Sequence, residues 1–255
     1  MNKSKELKNL EKVWEGIVFN LKNFAKSHKQ EDLHQFRVNV KKLKAWLTLF
    51  SYTGKNKDIF KEFQKVRKIF KLAGRIRDKF IKEELLNSYS GIEKGNITIS
   101  DDLLKEIDDF SSKLEKFLKT IEKAKRKLSK QIQPISNADI FSFYSRELDQ
   151  ILITLAKKDF SENLHQCRMK IKNLIYNKKL SSHNIENKMK LDINYLNTLQ
   201  EIIGQWHDAK VALKFFQSKK NYQPVIINKL RKVESATAYK IEATANDFWQ
   251  KVNLS

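Results

Sequence analysis

The chain has 255 residues and carries 51 Lys and Arg against 30 Asp and Glu, a formal net charge of +21. Its hydrophobic content of 40% is sufficient for a substantial core, and the low numbers of Gly (6) and Pro (2) favour an all-helical protein. One cysteine excludes an intramolecular disulfide. The sequence shows neither a secretory signal nor the roughly 18 apolar residues of a membrane span, so a cytoplasmic protein is expected.

The surplus of positive charge indicates an anionic partner. Such a surplus costs self-repulsion in the folded state, and it is usually retained because the partner carries the opposite charge. Nucleic acid, an anionic membrane surface and a phosphate polymer are the candidate partners. A generic solvated surface is the alternative, because runs of charge are often only solvated faces.

Apolar residues recur at helical spacing along nearly the whole chain. The first helical stripe contains Leu10, Trp14, Ile17, Leu21 and Phe24, and the second contains Leu33, Phe36, Val40, Leu43, Leu47 and Phe50. A heptad stripe from Leu103 to Leu128 predicts one long helix from about Ser100 to Gln131, with Ser100 as its N-cap. Breaks are predicted at Tyr52–Lys57, near Gly74, at Gly91–Ser100 and at Gln133–Asn137 around Pro134.

The pattern beyond Pro134 repeats this plan. It predicts helices on either side of Gly204 and a last helix after Pro224. We therefore expect an all-α fold of two pseudo-symmetric helical-bundle halves, each of about five helices, around a basic central cavity. Repeat 1 covers about residues 1–132 and repeat 2 about 137–255, packed about a pseudo-two-fold axis as one structural domain.

Two polar strings each occur twice. The first string is Leu-His-Gln-x-Arg with a Lys four residues after the Arg, and its second copy follows 131 residues after the first. The second string is Gly-x-x-x-Asp, which runs from Gly74 to Asp78 and from Gly204 to Asp208. Two motifs in one order at nearly one spacing predict an internal duplication. The polar residues of the first string are His34, Arg37 and Lys41 in one copy and His165, Arg168 and Lys172 in the other.

These cations border the packed face of each helix, because they stand one residue beyond the apolar stripe, or about 100° around the helix. Neighbouring cations repel one another unless an anion lies between them. Arg supplies a bidentate fork for phosphate oxygens, and Lys supplies a mobile point charge. Because the same register occurs twice, an anion-binding stripe is favoured over an ordinary solvated face.

The segment around Gly74 adds further cations, and it is expected to provide either a close helix approach or a tight turn. Asp78 and Asp208 could be metal ligands, but a carboxylate among so many cations more simply pairs with an Arg or Lys and fixes its orientation. Cys167 lies on an apolar stripe and is expected to be a core thiol. The cations nearest Gly74 in the candidate set are Lys68, Lys71, Arg75 and Arg77.

The paired strings, LHQFRVNVKKLKAWL with LAGRIRD and LHQCRMKIKNLIY with IIGQWHDAKV, resemble the CHAD domain, the conserved histidine α-helical domain. The resemblance covers essentially the whole chain. It implies two similar helical halves with a basic central channel that binds inorganic polyphosphate and targets proteins to polyphosphate granules. By matched position it implies binding residues His34, Arg37, Lys41, Lys42, Lys44 and Arg77 in the first half, and His165, Arg168 and Lys172 in the second. Ile175 and Asn173 depart from the pattern, since basic residues are common there.

The sequence thus predicts a non-catalytic module for inorganic polyphosphate or another linear polyanion, with no cofactor and no metal. Members of the family often accompany a triphosphate tunnel domain, so a separate triphosphatase is an expected partner. Nucleic-acid binding is the alternative, although most aromatic residues fall on packing stripes. Catalysis is less favoured, because the His207-Asp208 pair has no further metal ligands at recognisable spacing. A membrane-surface role is also less favoured, because the apolar stripes are needed to pair helices.

Overall fold

The computed structural model describes residues 3–52, 58–89, 99–178, 190–218 and 224–253. Within these ranges the regular elements are α-helices, and one isolated antiparallel bridge joins Leu191 to Asn253. The chain divides into two compact units, unit 1 (Met1–Ser136) and unit 2 (Asn137–Ser255). The all-α fold is therefore confirmed, and the internal duplication stays a prediction.

Unit 1 contains five helices in its described part. They are α1 (Lys3–Ser27), α2 (Gln30–Ser51), α3 (Ile59–Tyr89), α4 (Asp101–Ser112) and α5 (Leu114–Gln131). Helix α1 packs along α2, α2 packs on α3, and α3 packs on both α4 and α5. The two apolar stripes that the sequence predicts for α1 and α2 are buried, with Trp14, Phe24, Leu33 and Phe36 almost inaccessible to solvent. Their burial removes the apolar faces of neighbouring helices from water, which is the main stabilising contribution to this unit.

Local signals in the sequence account for two helix ends in unit 1. Helix α1 ends at Ser27, and His28 takes a left-handed conformation (φ 54°) while its N–H donates to the Phe24 carbonyl at 2.8 Å. Helix α4 begins after Ser100, whose hydroxyl oxygen accepts a hydrogen bond from the Leu103 N–H at 3.3 Å. The predicted N-cap at Ser100 is therefore confirmed.

Two predicted helix boundaries in unit 1 are wrong. Helix α3 runs without a break through Gly74, because the cost of one glycine in a helix, about 1 kcal/mol, is small beside the packing of a 31-residue helix. The single helix predicted from Ser100 to Gln131 is two helices, which are separated at Lys113 (φ −90°, ψ 6°). The turn redirects the chain while Phe110 and Phe117, on either side of it, both stay buried.

Unit 2 also contains five helices in its described part. They are α6 (Asn137–Ala156), α7 (Glu162–Lys178), α8 (Ile193–Gln217), α9 (Pro224–Ala245) and the short α10 (Phe248–Val252). Helix α6 packs on α7, α7 on α8, and α8 on α9. The predicted break at Gly204 is wrong, because α8 continues through it, again with packing on both sides. The predicted last helix is confirmed and begins at Pro224, a residue favoured in the first turn because it lacks an N–H.

The other predicted breaks fall in different parts of the chain. Residues 132–136 around Pro134 are not helical, as predicted. The predicted break at Tyr52–Lys57 lies outside the described residues except for Tyr52, and the one at Gly91–Ser100 lies outside them up to residue 98. Within the described ranges, none of the helices combines the length and the apolar character that crossing a bilayer requires.

Candidate functional site

The arginine of each repeated string is anchored to the backbone of the neighbouring helix. Arg37 Nη1, on α2, donates to the Phe70 carbonyl oxygen on α3 at 2.8 Å, and the guanidinium carbon lies 4.1 Å from the centroid of the Phe70 ring. Arg168 Nε, on α7, donates to the Gln200 carbonyl oxygen on α8 at 3.0 Å. The same contact therefore occurs in both units, and in each it joins the helix of the first string to the helix of the second.

The glycine of each second string makes room for this arginine. A Cβ atom built on Gly74 would overlap Nη1 of Arg37, and one built on Gly204 would lie 2.6 Å from Nη2 of Arg168. Ordinary van der Waals contact begins at 3.4 Å. Of the two roles predicted for the segment around Gly74, a tight turn is wrong, because α3 continues through it, and the close approach found there is not that of a second helix backbone. The close approach is that of a side chain onto a helix backbone.

Burial is the largest cause of a lowered pKa of the Arg37 guanidinium. The Asp78 carboxylate opposes this shift, and the nearby charge of Arg77 adds to it. An arginine stays charged even so, because the pKa of a guanidinium is ordinarily far above neutral pH. Asp78 thus acts on the anchored arginine, as expected for a carboxylate that pairs with a cation. Across the described ranges, no group of three or more His, Cys, Asp or Glu side chains is arranged to hold a metal ion.

A row of exposed cations runs along α3 beside the line of contact with α2. Arg67, Lys71 and Arg75 follow one another at helical spacing next to Phe70 and Gly74, and all three are exposed. Among the described residues, neither Lys71 nor Arg75 forms an ion pair with a carboxylate. Within the described part of the chain, the charges of Lys71 and Arg75 are therefore not neutralised by a direct ion pair.

The candidate residues of α2 include Arg37, which reaches α3, and four further side chains that are at least partly accessible to solvent. His34, Lys41 and Lys42 are half-buried, and Lys44 is exposed. We define the unit 1 face as the predicted residues of α2 together with the cations of α3 that stand next to it. Its members are His34, Arg37, Lys41, Lys42 and Lys44 from α2 and Arg67, Lys68, Lys71, Arg75 and Arg77 from α3.

The corresponding surface of unit 2 is built from α7 and α8. His165 stacks on His207, with ring centroids 4.2 Å apart and an interplanar angle of 28°. We define the unit 2 face as the predicted residues of α7 together with five residues of α8. These five stand at the same distances in sequence from Gly204 as the α3 cations of the unit 1 face stand from Gly74. Its members are His165, Arg168 and Lys172 from α7 and Asn197, Thr198, Glu201, Gln205 and His207 from α8.

Lys172 lies in a cluster of mixed charge. Burial is the main cause of its lowered pKa, and Arg168 acts in the same direction, whereas Glu201 and Asp208 oppose the shift. The ammonium nitrogen also lies 5.9 Å from the centroid of the Tyr176 ring. Asp208 therefore acts on a cation of the first string, as the sequence predicts. Glu201 was missed by sequence reasoning, although aligning the two glycine strings would have matched it to Lys71.

Three further residues of α7 that the sequence analysis singled out are buried or half-buried. Cys167 is buried, and burial raises the pKa of its thiol to about 12, which confirms the predicted core thiol. Ile175 is 4% exposed and belongs to the core, whereas its counterpart in unit 1, Lys44, is exposed. Asn173 is half-buried. The two departures from the family pattern thus leave α7 without a cation at the positions that match Lys42 and Lys44 of α2.

The matched strings and their shared arginine-on-glycine contact can be compared with known proteins. The sequence matches the family model of the CHAD domain over residues 9–217, from within α1 to the end of α8. The chain belongs to the CHAD domain family. No curated protein matches it.

The structure of this CHAD chain is similar to one solved structure, the crystal structure of the CHAD domain from the plant Ricinus communis. The TM-score is 0.65 over 96% of this chain and 91% of that chain, at 16% sequence identity. At this identity the likeness concerns the fold alone. The family indicated by the two strings is confirmed by the family model, and the all-α CHAD fold is confirmed by the structural match.

Proposed function

We propose that this CHAD protein binds inorganic polyphosphate without catalysing its turnover, and that the unit 1 face is a binding surface. The observation that carries the proposal is the exposed row on α3, in which Lys71 and Arg75 have no carboxylate partner among the described residues. Membership of the CHAD family supports a polyphosphate-related function in general. A polymer of closely spaced phosphates relieves the repulsion along such a row.

The anchored arginine favours the same ligand. Arg37 gives one N–H to Phe70, and a guanidinium has five such donors, so others remain for phosphate oxygens. Because packing already holds the guanidinium in place, little side-chain freedom is lost when an anion binds. The lysines of α2 and α3 add point charges that follow a flexible polymer. Affinity should therefore depend on phosphate density rather than on any sequence in the ligand.

The aromatic residues favour polyphosphate over single-stranded nucleic acid. Proteins that bind single strands stack bases on exposed aromatic rings. Trp14, Phe36 and Phe50, which the sequence assigned to the core, are at most 1% exposed. On the unit 1 face, the Phe70 ring is covered by Arg37, whose guanidinium carbon lies 4.1 Å from the ring centroid.

The proposal is tested by titrating long-chain polyphosphate into the protein and following binding by calorimetry. The variant Lys44→Glu/Lys71→Glu reverses one exposed charge on each helix of the unit 1 face, and we expect it to weaken binding by more than about tenfold. Its matched control is Lys119→Glu/Lys123→Glu, which makes the same change in net charge at exposed positions of α5. Absence of binding to the unaltered protein, or equal weakening in both variants, would refute the proposed site.

Competition separates polyphosphate from nucleic acid. We expect neither duplex nor single-stranded DNA to displace polyphosphate at equal phosphate concentration. Displacement by either would mean that the surface binds polyanions in general. Release of phosphate from polyphosphate or nucleoside triphosphates in the presence of Mg²⁺ or Mn²⁺ would overturn the non-catalytic part of the proposal.

The same proposal includes a location and a partner. We propose that the protein associates with polyphosphate granules in the cytoplasm, where a separate triphosphatase acts on the polymer. A fluorescent fusion of the unaltered protein should then coincide with stained granules, whereas the Lys44→Glu/Lys71→Glu fusion should be diffuse. Coincidence of both fusions with granules would show that another surface directs localisation.

A further inference from the structure

The two units share a framework but differ in the charges placed on it. In each unit an arginine of the first string donates to a backbone carbonyl four residues before the glycine of the second string. This contact fixes the same register between α2 and α3 as between α7 and α8. Positions on α3 and α8 can therefore be compared one by one, counted from Gly74 and Gly204.

The comparison shows that the positions of α8 that match the exposed cations of the unit 1 face on α3 carry no positive charge. Lys71 stands three residues before its glycine, and the residue in that place on α8 is Glu201. Arg75 follows its glycine, and the matching residue is Gln205. The remaining pair of exposed cations, Arg67 and Lys68, is matched by the neutral residues Asn197 and Thr198.

Lys172, the lysine of the first string on α7, is partly neutralised as well. Both Glu201 and Asp208 act electrostatically on Lys172, which is itself half-buried. In unit 1 the position of Glu201 is taken by Lys71, which is exposed. A phosphate chain that approaches the unit 2 face meets the Glu201 carboxylate where the unit 1 face presents the Lys71 ammonium group. Repulsion from that carboxylate opposes the attraction of Arg168 and Lys172.

We propose that the two repeats of this chain bind polyphosphate unequally, with the unit 1 face providing the affinity and Glu201 limiting the unit 2 face. This inference rests on the proposed function and specifies which repeat carries it. Glu201 acts as a specificity-determining residue, because it sets the sign of the charge at the centre of the α8 row. The stacked pair His165–His207 and the anchored Arg168 are then chiefly structural parts of unit 2.

The inference is tested by exchanging the two matched residues in separate variants. Lys71→Glu makes the unit 1 row resemble that of unit 2, and we expect its polyphosphate affinity to fall about tenfold or more. Glu201→Lys makes the unit 2 row resemble that of unit 1, and we expect affinity to rise at least about threefold. Asp149→Lys is the control for the second variant, since it makes the same charge change at an exposed position of α6 and should alter affinity less than about twofold.

Thermal unfolding of each variant shows whether the fold is retained, and Glu201→Gln provides a second, milder variant if Glu201→Lys unfolds. If the unaltered protein binds and neither Glu201 variant binds more tightly than Asp149→Lys, the inference is wrong while the proposed function stands. If the unaltered protein does not bind polyphosphate, the proposed function fails and the inference fails with it. Tighter binding confined to the Glu201 variants supports both.

Discussion

Arg37 shows how one side chain can have a structural and a binding role together. Its guanidinium is half-buried on α3, holds a backbone carbonyl and covers the Phe70 ring, yet it lies beside the exposed row of the unit 1 face. Reversing its charge would disturb packing and binding at once. Variants that keep the charge but change the geometry therefore separate the two roles better.

Arg37→Lys keeps the positive charge but loses the planar fork that reaches Phe70. We expect the free energy of unfolding to fall by about 1–2 kcal/mol, because a hydrogen bond and a stacking contact are lost together. Polyphosphate affinity should fall as well, although net charge is unchanged. Urea unfolding and calorimetry measure the two effects. Arg126→Lys, at an exposed position of α5, is the control and should change neither.

Gly74→Ala tests the same contact from the side of α3. Alanine favours a helix by up to about 1 kcal/mol over glycine, but its methyl group would displace the Arg37 guanidinium. We expect the two effects nearly to cancel in the unaltered background. In an Arg37→Ala background the space is empty, so Gly74→Ala should then stabilise the protein by about 0.5–1 kcal/mol. Equal effects of Gly74→Ala in both backgrounds, measured by urea unfolding, would contradict the contact.

Sequence reasoning at this scale identified the residues but not their contacts. The strings gave Arg37 and Gly74 as separate features, and the stripe placed the arginine at the border of the packed face. Nothing in the helical period shows that the guanidinium folds back onto a carbonyl, since that depends on the distance between two helices. A glycine on one helix opposite a long side chain on the neighbouring helix is the signal that could have suggested this contact.

At the scale of helices, ion pairs connect α3 to its neighbours. Lys79 contacts both Asp102 and Glu106 on α4, with 2.8 Å between its Nζ and the Glu106 carboxylate. Glu62 lies between Lys65, 2.8 Å away on α3, and Lys127, 2.8 Å away on α5. Hydrogen bonds from these lysines lower the pKa of the Asp102 and Glu62 carboxyls. Both carboxylates therefore favour the folded state while they are ionised.

These depressed pKa values predict the response to acid. A carboxyl with a lower pKa in the folded state stabilises it above the unfolded pKa, about 4, and loses this contribution as the pH falls through the folded value. The urea midpoint should thus decline below about pH 4. Lys79→Gln should lower the midpoint at pH 7 and make the further loss between pH 4 and pH 2 smaller. An unchanged acid dependence in this variant would show that the pairs on α4 do not contribute.

The sequence predicts which segments are helical more accurately than it predicts where each helix ends. The apolar period of α1, α2 and α7 fixed both their type and their buried faces, since packing follows directly from that period. Gly74 and Gly204 were misread as breaks because a glycine is a weak signal that tertiary packing overrides. The turn at Lys113 has no glycine or proline near it, so the continuous heptad stripe concealed it.

At the scale of the whole molecule, the net charge of +21 raises the local concentration of any polyanion, whichever residues it contacts. The unit 1 face must therefore be distinguished from general attraction. Strings and composition were sufficient to predict the CHAD family and its fold. The unequal charge of the two units was missed, although aligning the two glycine strings in the sequence matches Lys71 to Glu201 and Arg75 to Gln205.

The salt dependence of polyphosphate binding distinguishes a defined binding face from general electrostatic attraction. A plot of the logarithm of the binding constant against that of the salt concentration has a slope set by the number of phosphates that are neutralised. Lys71→Gln should reduce the magnitude of this slope by about one, since one contact to the polymer is lost. Lys119→Gln, which removes an equal charge from α5, should leave the slope nearly unchanged. Equal reductions in both variants would indicate a diffuse ion atmosphere without a defined face.

The deep burial of Cys167 has a practical consequence for optical work on this protein. The only thiol in the sequence is shielded and stays protonated near neutral pH, so a maleimide dye would react with a newly introduced surface cysteine in its presence. Gln64 and Asn194 are exposed and uncharged, and they stand ten residues before Gly74 and Gly204. A dye attached at either position would change its emission when a polymer binds nearby. Comparing the two labelled proteins would therefore show which unit the polymer contacts.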